Sequence, residues 1–252
     1  MGELLGITGA IGSGKTTLAE LLSDTVQNHA HYETSGPIIE IANRFNQLLE
    51  AELNFETATD DTELINQVLI WMPDVIAEHV HHDTTWNHLA ITPKDAHAHP
   101  ELYEKLFAYL TRVHANLQLV EQTITSENKT DYRDLLQWLG GYLLAKISPT
   151  IWYDELFRRI ELREAYTALV TVSGVRYASD AQMIRNHGGR IIKIERPNLT
   201  NTATDVAEVE RSNIEPDITI INDGSLEQLT ALVADLWNDI AAGKPKSIYH
   251  AT

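Results

Sequence analysis

Residues 3–17 read ELLGITGAIGSGKTT. Leu4, Leu5 and Ile7 make a short apolar strand, and Leu18, Leu21, Leu22 and Val26 follow at helical spacing, so a strand runs through a glycine-rich turn into a helix that begins near Lys15. Gly9, four residues, Gly14, Lys15 and Thr16 complete the pattern G-x-x-x-x-G-K-[ST], in the strand-to-helix context that the pattern requires. At ordinary glycine usage it arises by chance in about one chain in a hundred of this length. The residue types fit one task, holding phosphate. Glycines let backbone N–H groups crowd an anion, Lys15 offsets the outer phosphates, Thr16 supplies a hydroxyl ligand for magnesium, and the helix N-terminus adds partial positive charge. Gly9, Ala10, Ile11, Gly12, Ser13, Gly14, Lys15, Thr16 and Thr17 are therefore the expected nucleotide-phosphate site.

Outward from the loop, strands alternate with helices. HAHYETSGP (29–37) reads as a second strand breaking at Gly36-Pro37, with a helix from about Ile38 to Leu53. After residue 131 come two helices, DYRDLLQWLGGYLLAKI and SPTIWYDELFRRIELREAY, then strand ALVTVSGVRY, helix DAQMIRNHGG, strands RIIKIERP and DITIINDGS, and the closing helix SLEQLTALVADLWNDIA. Such alternation implies right-handed βαβ units. The expected fold is α/β, a P-loop NTPase-type parallel β-sheet of about five strands covered by helices, with a helical insertion. Residues 1–53 and 131–240 form its core, 54–130 the insertion or lid-like subdomain, and 241–252 a C-terminal tail.

A chain of 252 residues, 43% hydrophobic, can bury a sizeable core. No stretch approaches the ~20 apolar residues of a membrane span. The first strand starts at once, so no signal peptide is expected, and Gly6 breaks the myristoylation pattern. Without cysteine there are no disulfides or thiolate metal sites, and a cytoplasmic location is the expectation. The net charge of −17 argues against nonspecific nucleic-acid binding. Residues 133–196 depart from it, with ten Lys and Arg against seven acids, a net of +3 that suits a small anion. His79, His81, His82, His88, His97 and His99 lack carboxylates at a ligand spacing, so a solvated or partner-facing segment is expected rather than a metal site. Trp71 and Trp86 are read as core or interface residues.

In the helix from 131, Leu135, Leu136, Leu139 and Leu143 share one side, while Arg133, Gln137 and Gly140 share another. That second stripe offers an arginine fork, an amide and a close-approach glycine to a phosphate and a planar base. The alternative is an ordinary exposed Arg and Gln beside a packing glycine.

Four segments, TGAIGSGKTT, RDLLQWLGGYLLAKISPTIWYDEL, VSGVRYASDAQMIRNHGGRIIKIERP and ITIINDGSLEQL, resemble the bacteriophage-type deoxynucleoside monophosphate kinases of the P-loop nucleoside monophosphate kinase family. The resemblance covers about the first 45 residues and 131–235. It implies transfer of the γ-phosphoryl of ATP to a deoxynucleoside monophosphate with Mg²⁺, no nucleic-acid or membrane partner, and leaves a homodimer open. It implies Lys15, Arg133 and Arg176 as catalytic groups, and Arg133 and Gln137, with Gly140 and Glu33, at the acceptor. Arg196 falls at the lid and Asn222 near the adenine end. Gly174 stands where relatives carry an aspartate, for which Asp180 and Glu33 are the candidate replacements. Thr202-Ala203-Thr204-Asp205 replaces the usual lid stretch, and the lysine usual after the second strand is absent near Pro37. Glu33 is also the candidate general base. The rival readings are a dephospho-coenzyme A kinase, a non-catalytic nucleotide-binding module and a structural protein.

Overall fold

A computed structural model describes residues 2–52, 100–146, 148, 150–164, 167–197, 199, 210 and 213–251. The histidine-rich segment, Trp71, Trp86 and Thr202 to Asp205 lie outside the described residues. The chain divides into two compact units, Met1–Thr34 with Phe157–Thr252, and Ser35–Leu156.

The first unit is a parallel sheet. Its strands are β1 (Glu3–Thr8), β2 (His29–Glu33), β3 (Leu169–Ser173), β4 (Arg190–Glu195), β5 (Ile218–Ile221) and β6 (Ile248–His250), in the order β2-β3-β1-β4-β5-β6. Pairing is parallel throughout, with Ile7 opposite Ser173, Glu33 opposite Ser173 and Ile7 opposite Ile192. From β1 the chain crosses to β2 at one edge, returns through β3 beside β1, and then continues on the other side of β1 through β4, β5 and β6. The carboxyl end of β1 is thus the topological switch point, where open α/β sheets place their ligands.

Among the described residues, six strands stand where the sequence leads us to expect about five. The sixth, Ile248–His250, comes from the segment read as a tail. It is three residues long with Tyr249 alone buried, too short for a period-two pattern to register.

Helices cover both faces of this sheet because its central strands are apolar on both sides. On one, α1 (Lys15–Thr25) and α8 (Leu226–Ala241) bury Leu18, Leu22, Leu232, Val233 and Leu236 against Leu5, Ile7, Ile192 and Ile220. On the other, α7 (Ala178–Asn186) packs against β1 and β4, and its Ile184 is buried. A Ser225–Gln228 capping box starts α8.

The second unit is helical in its described residues: α2 (Gly36–Glu52), α3 (Pro100–Ala115), α4 (Gln118–Glu121), a 3₁₀ turn Lys129–Tyr132, α5 (Arg133–Lys146) and the start of α6 (Ile151–Arg163). Gly36-Pro37, expected as a break, opens α2, since proline is tolerated in a helix's first turn. The core gathers Phe45, Leu49, Tyr109, Leu110, Val113, Tyr132, Leu135, Trp138 and Leu139. Phe45 and Trp138 pack at 5.6 Å between ring centroids. Buried Tyr109 satisfies its hydroxyl by donating to Asn46 Oδ1 at 2.6 Å.

Candidate active site

The glycine-rich loop leaves β1 at Thr8, whose buried hydroxyl donates to Val175 O at 2.8 Å and ties the ends of β1 and β3 together. Two glycines are dictated by contact as well as by conformation. Gly9 has φ 149°, and a Cβ there would lie 2.4 Å from Ile194 O. Gly14 has φ 107°, and its Cβ would lie 2.7 Å from Asn222 Nδ2. Gly14 is also the N-cap of α1, with no side-chain cap and no acidic residue in the first turn. The helix's leading N–H groups are therefore left to an outside acceptor. Ser13 is fully buried and its Oγ has no hydrogen-bond partner. An uncapped helix terminus and an orphaned buried hydroxyl beside a lysine fit a bound phosphate. Lys15 Nζ donates to Gly9 O at 2.8 Å and Ala10 O at 2.7 Å, turning back onto the loop that it would share with an anion.

A cleft of about 410 Å³ opens on this loop, lined by Gly12, Gly14, Lys15, Thr16 and Thr17, by Arg196 and Asn222, and by Gly224, Ser225, Leu226 and Leu229. The sequence reading expects Arg196 at the lid and Asn222 near the adenine end, and both line this cleft. It missed Leu226 and Leu229, although the S-L-E-Q cap that positions them is visible in the sequence. Thr16 is exposed, so its hydroxyl is accessible, and a hard-oxygen donor of this kind would suit magnesium.

Beside the loop are the carboxyl ends of β2 and β3. Glu33 is the last residue of β2, half-buried and opposite Ser173. Arg176 is exposed just after β3. Asp180 works as a helix cap, its Oδ2 accepting from Arg176 N at 2.9 Å and Tyr177 N at 3.0 Å. Gly174 has φ 90°, and a Cβ there would lie 2.4 Å from Thr34 Oγ1. A side chain at that position is thus strained by conformation and by contact together. One face of β2 carries a polar cluster. His29 Nε2 and His31 Nδ1 each lie 2.8 Å from Thr171 Oγ1. Both histidines are held below the usual imidazole pKa, His29 by burial and then by His31, His31 by burial against an opposing pull from Glu33.

In the second unit, Arg133 and Gln137 are exposed on α5, whereas Gly140 is buried. A Cβ at Gly140 would lie 3.6 Å from Ile38 Cδ1, and its carbonyl accepts from Trp152 Nε1 at 3.2 Å, so it serves packing. Lys105 was not singled out from the sequence. Its Nζ donates to Gln137 Oε1, and because an ammonium can only donate, the Gln137 oxygen faces Lys105 and its NH₂ points elsewhere.

A parallel sheet with this strand order, a glycine-rich loop at its switch point and a lysine in the loop define a P-loop NTPase-type architecture. Comparison with known families narrows it. The family model "Deoxynucleotide monophosphate kinase" matches residues 3–233, and the chain belongs to that family. It is also 33% identical over 112 residues to a protein of Acanthamoeba polyphaga mimivirus named "Putative deoxynucleotide monophosphate kinase". That match covers 38% of this chain and 55% of the viral protein, so the chain spans little more than half the length of this relative. Family membership implies nucleotide binding. Among the described residues, no helix is long and apolar enough to cross a membrane.

Proposed function

We propose that this chain transfers the γ-phosphoryl of ATP to the phosphate of a deoxynucleoside monophosphate, giving ADP and the deoxynucleoside diphosphate, as the resemblance to the bacteriophage-type enzymes suggests. The observation that carries the reading is the cradle at the switch point, an uncapped α1 N-terminus with Lys15 beside it. Such transfer needs positioned anions and stabilised oxygens more than covalent chemistry, and the residues match that need. The backbone of residues 9–17 holds the donor's phosphates. Lys15 exchanges its loop carbonyls for phosphate oxygens. Thr16 would hold a magnesium ion through its hydroxyl, and the ion would supply positive charge to offset the phosphates. Arg176 and Arg196 offer guanidinium charge to the transferring group, Arg133 grips the acceptor's phosphate, and Gln137 faces its base. Glu33, at the end of β2, can take the acceptor's proton where one must be moved.

The test is a coupled ADP-release assay with ATP, Mg²⁺ and each deoxynucleoside and ribonucleoside monophosphate, with dephospho-coenzyme A as a further acceptor. Turnover with at least one deoxynucleoside monophosphate is expected. Turnover with dephospho-coenzyme A alone would move the chain to that reaction, and nucleotide binding without turnover would make it a binding module.

A further inference from the structure

Asn222 follows β5 directly, and it is 8% exposed. Its backbone N donates to Glu195 O, the last residue of β4, at 2.7 Å. Its side-chain Nδ2 donates to Ser13 O at 2.9 Å, across 209 residues of chain. A carbonyl can only accept, so chemistry fixes the amide: nitrogen to the loop. The bond runs past Gly14, where a Cβ would lie 2.7 Å from Nδ2, so the absence of a side chain there lets the amide reach Ser13.

We infer that Asn222 is a positioning residue that straps the phosphate loop to the ends of β4 and β5, acting on any polyphosphate donor whatever its base. The argument concerns what holds a loop with glycines at three of its six positions from 9 to 14, a segment with large conformational freedom. Inside the loop, Ser13 N donates to Ala10 O at 3.2 Å, and Lys15 spans Gly9 O and Ala10 O. If Lys15 turns to a phosphate, its contribution to loop order is lost when order is needed. The Asn222 bond is buried and its donor is a neutral amide, on which an anion draws far less strongly than on the Lys15 ammonium, so it persists with the anion bound. With one amide hydrogen committed to Ser13 O and the side chain buried, Asn222 acts on the donor through the loop.

This rests on the reading that the cleft takes a nucleoside triphosphate, and binding measurements test it apart from catalysis. Affinities of the full chain for ATP, GTP and inorganic tripolyphosphate are compared, by calorimetry, between wild type, Asn222→Ala and Asn222→Leu. The expected result is a fall of about tenfold, alike for all three ligands, with binding of the monophosphate acceptor unchanged. A fall confined to ATP would overturn the inference and make Asn222 a base reader. So would unchanged tripolyphosphate affinity in the variants, or no tripolyphosphate binding by wild type. Should wild type bind all three yet transfer nothing, an equal fall would uphold the strap while the kinase reading fails. Asn222→Asp guards against a folding defect. Its carboxylate opposes Ser13 O and its protonated form can donate again; burial beside an acceptor raises the carboxyl above the ordinary value of about 3.9, so tripolyphosphate affinity relative to wild type should recover from about pH 8 to about pH 4.5. A flat ratio would overturn the strap.

Discussion

The two units hold their candidate ligands by different means. In the sheet unit, the phosphate cradle is made of backbone, N–H groups of the loop and first turn of α1, and it is fixed by Thr8 to Val175 and Asn222 to Ser13. In the helical unit, Arg133 and Gln137 are exposed side chains on a helix whose opposite side, with Leu135 and Leu139, is buried. A backbone cradle recognises what every donor shares, its polyphosphate. Side chains on a helix surface can be exchanged without disturbing the core beneath. On the proposed function, constancy at the donor and adaptability at the acceptor follow from where each grip is built.

The comparison breaks most visibly if the cradle works without its lysine. Lys15→Ala should lower kcat by about 10²–10³-fold, the scale of removing one preorganised donor to developing charge. Circular dichroism and thermal unfolding should stay close to wild type, because the Lys15 ammonium donates to carbonyls of its own loop, Gly9 O and Ala10 O. Near-normal turnover in the folded variant would sink the proposed reaction.

A smaller effect, confined to the acceptor, is expected from the other unit. Arg133→Ala should weaken acceptor binding by ~1.5–3 kcal/mol, the range for a hydrogen bond to a charged group, with the KM for ATP nearly unchanged. Equal losses for donor and acceptor would show that α5 merely supports the fold. Gln137→Ala should reorder the accepted bases. Lys105→Ala releases the amide oxygen that Lys105 now holds and should flatten that order, which a panel of monophosphates would measure.

These contrasts also explain what could be read from the chain. The loop was legible because a run of nine residues encodes its conformation, its charge and its helix start together. The strand and helix alternation of the sheet unit was legible because buried parallel strands and amphipathic helices each repeat a pattern several times. The resemblance led us to expect Asn222 near the adenine end, but it could not tie Asn222 to Ser13, since that bond depends on the register of β4 and β5. Gly140 shares a helical stripe with Arg133, yet Ile38 and Trp152 from elsewhere in the unit enclose it. The lack of a carboxylate at Gly174 was visible, but not its cause, a left-handed backbone against Thr34.

That cause yields the third prediction. Restoring the relatives' aspartate by Gly174→Asp should not supply a metal ligand without cost. An L-residue in the left-handed region costs about 1–2 kcal/mol, and the new Cβ would meet Thr34 Oγ1. Urea unfolding should show the loss, and adding Thr34→Ala should recover part of it. A variant as stable as wild type would mean that this stretch of the sheet unit adapts as readily as the helix surface does.

The smallest effect separates the units by pH. His29 Nε2 and His31 Nδ1 share one Thr171 hydroxyl, which has a single hydrogen to give, so both rings cannot be donors there without leaving that hydrogen unplaced. His29 Nδ1 is buried and has no partner, so a proton added to it gains no hydrogen bond. Both folded pKa values lie below the ordinary histidine value of about 6.5. The unfolded chain therefore binds more protons in the window beneath that value. The pair's stabilisation is fully present above about pH 6.5 and is lost as pH falls through the folded values. Among the described residues of the helical unit, the resolved shifts are those of Tyr109 and Tyr132, both raised, so they act only in alkali. Urea midpoints should fall from about pH 7.5 to about pH 5 by an amount worth under ~1 kcal/mol, since solvent screens so partly exposed a pair. In His29→Gln/His31→Gln that slope should flatten, while the fluorescence of Trp138, buried in the helical unit, should report the same dependence only if the two units unfold together. An unchanged slope in the double variant would remove the histidine pair as its source.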